Sequence, residues 1–199
     1  MNTIDKALLP LSPISPIAIY AVLVILIIIE IGLVFGFFFP GDFLLIAVGI
    51  LAGSYADISL TTTIAVAVVG SFLGAELGYI LGEKYGFVLT RNNNPPNIVK
   101  TIAKARRYLV ANNWLTVLSS NFILGLCSFV PLIAGQGSMG RMKFLSANAL
   151  GSIAWGGAIT FIGYKLASIT AVQESRFVIV AALFLVSSGA SIVNYLKAV

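Results

Sequence analysis

The sequence predicts an all-α membrane protein with about four transmembrane helices, two re-entrant helical hairpins in a pseudo-inverted repeat, and a cytoplasmic amphipathic helix. Of its 199 residues, 59% are hydrophobic and only 10% are charged. Several apolar segments exceed the ~20 residues that cross a bilayer, and proline and glycine interrupt two apolar runs. A basic polar stretch separates these two interrupted runs. Together these observations favour a polytopic membrane protein.

The residue types that most catalytic centres need are scarce. The chain has no histidine and one cysteine, Cys127, which excludes a Ser-His-Asp triad, a histidine metal site and an intrachain disulfide. No nucleophile has a visible base beside it in the sequence. We therefore expect no enzymatic activity, no metal, no cofactor and no nucleic-acid partner.

The alternation of apolar and polar segments predicts a single membrane domain, 1–199. Its start lacks the features of a signal peptide, and we expect it to be retained. The expected parts are an N-terminal segment 1–16, a first repeat 17–82, a basic connector 83–113, a second repeat 114–167 and a final transmembrane helix 175–197. Within the repeats, full spans are expected at 17–35, 59–82 and 144–167, and broken apolar segments at 36–55 and 114–140.

The connector carries six cations against one acid, Glu83; the cations are Lys84, Arg91, Lys100, Lys104, Arg106 and Arg107. The positive-inside rule places it, and with it both termini, in the cytoplasm. After the turn cluster RNNNPPN we expect a helix beginning at Ile98. Its cationic face, with Lys100, Lys104 and Arg107, suits contact with an anionic leaflet. A solvated connector with a basic face is the equal alternative.

Glycines recur every fourth residue in the span at 59–82. They are Gly70, Gly74, Gly78 and Gly82. This spacing makes one smooth helix face along which another backbone can approach closely. The pattern predicts tight helix packing and no particular chemistry.

The stretch FFFPGDF, residues 37–43, interrupts an apolar run. Pro40 cannot donate a helical hydrogen bond, and Gly41 lets the chain bend. Irregular backbone at membrane depth is tolerated only inside protein or beside a wet cavity. We therefore interpret this stretch as the break of a re-entrant hairpin, with Asp42 at a helix end. A short external loop between two spans is the alternative.

A second interrupted run, at 128–144, has the same construction, with breaks at Pro131 and Gly135. The spans that follow the two breaks also match at one constant offset. The matched residues are Gly70, Ser71, Gly82 and Lys84 in the first span and Gly151, Ser152, Gly163 and Lys165 in the second. We therefore expect an internal repeat of inverted topology, with one broken segment entering from each side.

Three blocks of this sequence resemble the DedA family of bacterial membrane proteins, also called the VTT or SNARE-associated domain superfamily. Glu30 followed by IGLVFGFFFPGDFLLIAVGILAG is similar to the family's acidic residue and its P-G-D/E-x-x-L-L-x-x-x-G block. GSFLGAELGYILGEKYG is similar to its G-D/N-x-x-G-Y-x-x-G block. NFILGLCSFVPLIAGQGSMGRMKFLSANALGSIAW is similar to its R-F-x-P-x-x-R-x-x-x-P-x-x-A-G-x-x-x-M-x-x-x-x-F block.

The chain departs from the family at its cations. Asn121 and Cys127 stand where the family has two arginines, and Leu124 replaces the proline between them. Ala75 stands where an acid is usual, although Glu76 follows it. The family's acidic pair is matched by Glu30 and Asp42.

The resemblance implies transport of lipids, a polyprenyl phosphate such as undecaprenyl phosphate or a phospholipid, across the cytoplasmic membrane of a prokaryote. It implies proton coupling through Glu30 and Asp42. Glu76, which lies opposite the glycine face and near the end of its predicted span, is a further candidate, and a solvated helix end is the equal alternative. Substrate contacts would come from Asn121 and Cys127, and from two cations after the second break, Arg141 and Lys143. Those two cations suit positive-inside anchoring as well. The oligomeric state is left open, with a homo-oligomer among the alternatives.

Two other functions fit the same residues. The missing arginines favour a membrane scaffold that has lost transport. The two carboxylates alone would suit a small-ion or proton-coupled carrier.

Overall fold

The computed structural model describes residues 15–33, 41–89, 96–123 and 126–169. Six α-helices account for most of these residues, which contain no strand. The predicted all-helical class is therefore confirmed. Most of the predicted N-terminal segment 1–16, together with Pro40 and the predicted final span 175–197, lies outside the described residues.

The α-helices are α1 (Pro16–Gly32), α2 (Gly41–Ser54), α3 (Leu60–Leu89), α4 (Pro96–Ser119), α5 (Phe129–Ile133) and α6 (Arg141–Leu166). A short 3-10 helix, Ser120–Phe122, follows α4. A π-helical turn, Ala134–Ser138, follows α5 and contains Gly137 with a positive φ of 96°. The second predicted break is therefore a change of helix type, with Pro131 inside α5 and Gly135 inside the π-helical turn.

Among the residues that the structure describes, two helices are long and apolar enough to cross a membrane, over Leu60–Gly86 and Arg141–Leu166. α1 and α2 are apolar but have only 17 and 14 residues, below the ~20 residues of a full span. The predicted first span at 17–35 is thus shorter than expected. Its helix stops at Gly32 because Leu33 adopts an extended backbone, with φ −111° and ψ 138°.

The predicted connector is largely helical. α3 continues to Leu89 because no helix-breaking residue precedes the cluster that starts at Arg91. α4 begins at Pro96, two residues before the predicted start, since proline is well tolerated in the first turn of a helix. α4 bends at Asn112, whose φ of −158° is not helical and whose side-chain oxygen accepts from the Leu115 amide at 3.2 Å.

The first part of α4 has the two faces that the sequence predicts. Its buried side chains are Ile102, Ala105 and Leu109. Lys100, Lys104, Arg106 and Arg107 are exposed. Burial of the apolar stripe against the bundle leaves the cations along the outer face.

The contacts between helices give their relative directions. α1 runs parallel to α3, since the Tyr20 hydroxyl donates to the Ser59 carbonyl at their starts and Ile31 packs at Gly74 further along. α6 runs antiparallel to α3, since it begins beside the later part of α3 and Gly156 packs at Ala67.

Two shorter helices, α2 and α5, each run parallel to the long helix on which they pack. α2 runs parallel to α6, with Asp42 at Trp155 and Gly53 at Ala167. α5 runs parallel to α3, with Leu132 at Gly82. α1 and α2 therefore run in opposite directions. α5 runs in the direction of α3, and α6 runs in the opposite direction.

The glycine face of α3 holds two partners. Gly70 and Gly74 pack against α1, and Gly78 and Gly82 pack against α5. A Cβ added at Gly82 would overlap the carbonyl oxygen of Leu132. Only glycine allows this approach of two backbones.

A second close contact joins α2 to α6. A Cβ at Gly163 would overlap the Ile46 carbonyl oxygen, and one at Gly49 would overlap the Thr160 carbonyl oxygen. The π-helical turn repeats this arrangement on α3, where Gly135 lies against the Tyr79 carbonyl oxygen.

We predict that Gly82→Ala lowers stability by about 1–3 kcal/mol, because the new methyl group forces α5 away from α3. The matched control is Gly157→Ala on α6, where an added Cβ meets nothing within 4 Å. That change should leave stability unchanged or raise it slightly, as alanine is the better helix former. Thermal unfolding of both variants in detergent measures the difference. Equal transitions would contradict the close packing at Gly82.

Candidate functional site

The end of α1, the start of α2 and the chain before α5 meet inside the apolar bundle, since the Cys127 thiol lies within electrostatic reach of both Glu30 and Asp42. The Ser128 hydroxyl, which is buried, donates to the backbone carbonyl of Glu30 at 2.6 Å. This bond links the chain before α5 to the last turn of α1.

Glu30 and Asp42 lie on either side of the first predicted break. Glu30 is buried, with 8% of its surface exposed. Asp42 lies in the first turn of α2, and its Oδ1 accepts a 2.8 Å hydrogen bond from Nε1 of Trp155 on α6. A carboxylate in the first helical turn also interacts favourably with the helix dipole. Asp42 therefore ties α2 to α6.

A neutral hydrogen-bonded network occupies the contact between α3 and α6. Asn121 Nδ2 donates to Ser71 Oγ at 2.9 Å, and Ser71 Oγ lies 3.1 Å from Ser152 Oγ. Ser152 donates to Asn148 Oδ1 at 3.2 Å, and Asn148 Nδ2 donates to the Phe72 carbonyl at 3.1 Å. All four side chains are buried.

The donor and the acceptor of each hydrogen bond in this network can be assigned. A carbonyl can only accept, so Asn148 must turn its amide nitrogen to Phe72 and its oxygen to Ser152. The proton of Ser152 goes to that oxygen, so Ser152 accepts from Ser71. Ser71 in turn accepts from Asn121. The donors therefore run one way, from the 3-10 helix to α6.

Cys127, the other residue at a family arginine position, is a free thiol whose Sγ lies 3.9 Å from Ser128 Oγ. The Glu30 and Asp42 carboxylates lie close enough to interact electrostatically with this thiol. The part of the chain that the structure describes holds no cluster of metal-binding side chains.

The remaining predicted residues lie apart from this centre. Glu76 lies in α3, and its Oε2 pairs with Arg141 Nη2 at 3.1 Å. The Arg141 guanidinium also lies 6.0 Å from the ring centroid of Tyr79. Arg141 and Lys143 are exposed in the first turn of α6, next to a cavity of about 550 Å³.

Sequence reasoning missed several residues of the site. Ser71 and Ser152 were matched as repeat positions, but their mutual contact was not predicted. Trp155, Asn148 and Ser128 were not proposed at all. The available signal was a polar or indole group within an apolar helix, which needs a partner when it is buried.

Comparison with known proteins identifies a family match. The family model described as the VTT domain matches residues 39–165. The protein DedA of Escherichia coli K12 is 26% identical over 160 residues, covering 79% of this chain and 73% of the relative. An uncharacterized membrane protein of Mycobacterium leprae is 29% identical over 162 residues, covering 80% and 71%.

A third relative is the inner membrane protein YqjA of Escherichia coli K12. It is 29% identical over 139 residues, which cover 69% of this chain and 63% of the relative. No solved structure matches the chain. The expected resemblance to DedA proteins is thus confirmed by sequence.

We predict that Ser71→Ala lowers stability by about 1–3 kcal/mol, because Asn121 Nδ2 then lacks an acceptor in the protein interior. The double variant Ser71→Ala with Asn121→Leu should lose much less than the sum of its single changes, since both partners are gone. Ser168→Ala, an exposed serine after α6, is the control. Thermal unfolding in detergent of Ser71→Ala, Asn121→Leu, the double variant and the control gives the four differences. Additive single costs would show that the two residues are not coupled.

Proposed function

This chain belongs to the VTT domain family of DedA-like membrane proteins, and from that membership we propose that it transports lipids across the cytoplasmic membrane of a prokaryote. The observation that carries the proposal is the meeting of broken helix ends inside the bundle. Two carboxylates, the buried Glu30 and the half-buried Asp42, lie there near the Cys127 thiol, and a neutral polar network joins α3 to α6. Such a centre gives a lipid headgroup polar partners at a depth where the bilayer offers none. We propose no enzymatic activity.

We propose that two re-entrant hairpins build this centre from opposite sides of a multi-pass protein. The α1–α2 pair supports the first: its helices run in opposite directions and each is shorter than a full span. The second consists of the chain from Asn112 to the π-helical turn. Its first part ends near Asn121, which bonds to Ser71 of α3. Its second part, α5 and the π-helical turn, packs along α3. The bond between Ser128 and Glu30 joins the two proposed hairpins.

The glycine contacts support a pseudo-inverted repeat. On α3, Gly82 and Tyr79 contact Leu132 and Gly135; on α6, Gly163 and Thr160 contact Ile46 and Gly49. In both pairs the long-helix residues are 81 positions apart and the hairpin residues are 86 apart. Each hairpin therefore packs on the long helix of the other repeat through the same pattern of a glycine facing a carbonyl group.

A further contact fits a two-fold axis between the repeats. Ser71 and Ser152 are also 81 positions apart, and their hydroxyl groups face each other at 3.1 Å. Equivalent residues meet each other only where a two-fold axis passes between them. We place the axis of the proposed repeat at this pair.

The charges of the centre favour some headgroups over others. No charged residue occurs between Tyr108 and Gly140, so the second hairpin brings no cation to a phosphate. Burial of an uncompensated phosphate costs many kcal/mol. A zwitterionic phospholipid carries its own ammonium group, which compensates the charge of its phosphate. We therefore propose such a lipid as substrate in preference to undecaprenyl phosphate.

Proton coupling is part of the proposal for the carboxylates. A carboxylate within a membrane is costly as an anion and is a functional candidate for that reason. Glu30 and Asp42 are the acids at the first hairpin tip, and Glu76 is instead paired with Arg141. We propose that Glu30 and Asp42, and not Glu76, exchange protons during transport.

We propose in addition that the outer face of α4 contacts the anionic leaflet of the cytoplasmic side. Lys100, Lys104 and Arg107 are all exposed there. Lys104 and Arg107 lie 5.8 and 5.9 Å from the Tyr108 ring centroid, which brings an interfacial aromatic residue next to both cations. Each cation near such a surface contributes about 1 kcal/mol to binding.

A transport-inactive scaffold is the alternative function. The observation in its favour is that Asn121, at the place of a family arginine, is already bonded to Ser71. Its amide is thereby committed to the network. A small-ion carrier that uses the carboxylates alone remains the further alternative.

We predict that Glu30→Gln and Asp42→Asn each slow lipid flipping at least tenfold in liposomes, while the amount of folded protein changes little. The reason is that both changes keep the shape and remove the ionisable group. The matched control, Asp57→Asn, alters an exposed acid in the loop between α2 and α3 and should flip lipid at the unaltered rate. Unaltered rates in the first two variants would remove these acids from the mechanism.

We predict that the unaltered chain handles undecaprenyl phosphate weakly, and that Asn121→Arg with Cys127→Arg raises its transport. The two guanidinium groups would supply the missing charge compensation. Flipping of labelled undecaprenyl phosphate and of phosphatidylethanolamine in liposomes measures both effects. Rapid undecaprenyl phosphate transport by the unaltered chain would contradict the charge argument. If neither lipid flips before or after the change, the scaffold is favoured.

A further inference from the structure

We infer that this protein has a second lipid site, separate from the centre, where Arg141 and Lys143 bind the phosphodiester headgroup of an anionic phospholipid. The site is the cavity of about 550 Å³ lined by Asn113 and residues 137–143. It lies between the bend of α4 and the start of α6. The inference goes beyond the proposed transport function, since it holds whether or not the chain moves lipids.

The charges around the cavity fit a singly charged headgroup. Arg141 pairs with Glu76 at 3.1 Å, which balances one charge with another. Lys143 lines the same cavity and is exposed. The three side chains therefore carry a net charge of +1, which matches the single negative charge of a phosphodiester.

Arg141 is held in place and still has donors to offer. Its side chain is 53% exposed, whereas that of Glu76 is 13% exposed. The guanidinium group has five N–H donors in a rigid plane, and the bond to Glu76 Oε2 uses one of them. An arginine fixed by one carboxylate can therefore bind phosphate oxygens with its remaining donors at little cost in side-chain entropy.

The depth of the cavity favours a lipid over a soluble phosphate. The membrane-length segment of α6 begins at Arg141 itself. On α3, about 20 residues from Leu60 cross the hydrocarbon core, so its boundary falls near residue 80, close to the Glu76–Arg141 pair. The cavity is thus at the level of lipid headgroups. Met142, which lines it and is 80% exposed, is placed to contact an acyl chain.

The site also lies at the end of the bundle that carries the basic connector. Arg106 of α4 donates to Gln136 in the π-helical turn at 3.2 Å, directly before the lining residues. Positive charge of this density indicates the cytoplasmic side, whose leaflet is rich in anionic lipids. The ligand we assign is therefore an anionic phospholipid of the cytoplasmic leaflet, with phosphatidylglycerol as the probe.

The test is native mass spectrometry of the full chain in detergent, titrated with phosphatidylglycerol or with phosphatidylcholine of the same acyl chains. We expect phosphatidylglycerol to bind more tightly. Lys143→Gln should weaken its binding about three- to tenfold and Arg141→Gln about tenfold or more. Lys165→Gln, the same charge change at the opposite end of α6, should leave it unchanged. Glu30→Gln should also bind normally, which separates this site from the proposed transport centre.

Three outcomes would overturn the inference. The first is equal binding of the two lipids. The second is equal phosphatidylglycerol binding by Lys143→Gln and Lys165→Gln. The third is competition by inorganic phosphate as effective as that of the lipid, which would assign the site to free phosphate. Arg141→Gln leaves Glu76 without this partner and is prone to misfold. The comparison of Lys143→Gln with Lys165→Gln therefore decides the test, because Lys143 is exposed.

Discussion

Every polar group released where a helix ends inside an apolar bundle needs a partner from the protein, because lipid offers none. The remainder of this structure depends on that requirement. The carbonyl of Glu30 at the end of α1 accepts a hydrogen bond from the hydroxyl of Ser128, and the carboxylate of Asp42 at the start of α2 accepts one from the indole of Trp155. Both donors come from elements that the chain reaches more than ninety residues later. The broken helices of the first half are therefore satisfied only when the second half is folded around them.

Close backbone contact is the second condition. The short helices α2 and α5 lack the length to hold themselves in a bilayer, and each is fixed to a long helix by glycines that face carbonyl groups. The driving force for such contacts in a membrane is packing, since lipid tails are as apolar as the helices. The glycines of α3 and α6 have no side chain and therefore allow that packing. The polar centre and the glycine contacts thus depend on one another. The polar centre requires helix ends at a definite depth in the bundle, and the glycine contacts determine that depth.

Much of this fold could be predicted from sequence, and the exceptions have physical reasons. The apolar composition, the glycine period and the turn residues around Pro40 and Pro131 act locally, so they predict helices, close packing and breaks. The length of α1 was not predicted, because apolarity alone does not locate the extended residue Leu33 that ends it. The pairing of Glu76 with Arg141 and of Asn121 with Ser71 was missed as well. Those pairs join residues 65 and 50 positions apart, and their geometry depends on the packing of α3 against its neighbours rather than on any local pattern.

The one-way order of the buried amide and hydroxyl groups has a consequence for how charge can move. When a proton hops along a row of hydroxyl groups, the direction of each hydrogen bond in the row is reversed. Every group must rotate back to its first orientation before a second proton can follow. Here the row ends at Asn148, whose amide nitrogen must face the Phe72 carbonyl. An amide cannot reverse its role without a half-turn of its side chain, and packing opposes that rotation. The hydroxyl groups between α3 and α6 therefore form no route for repeated proton hopping.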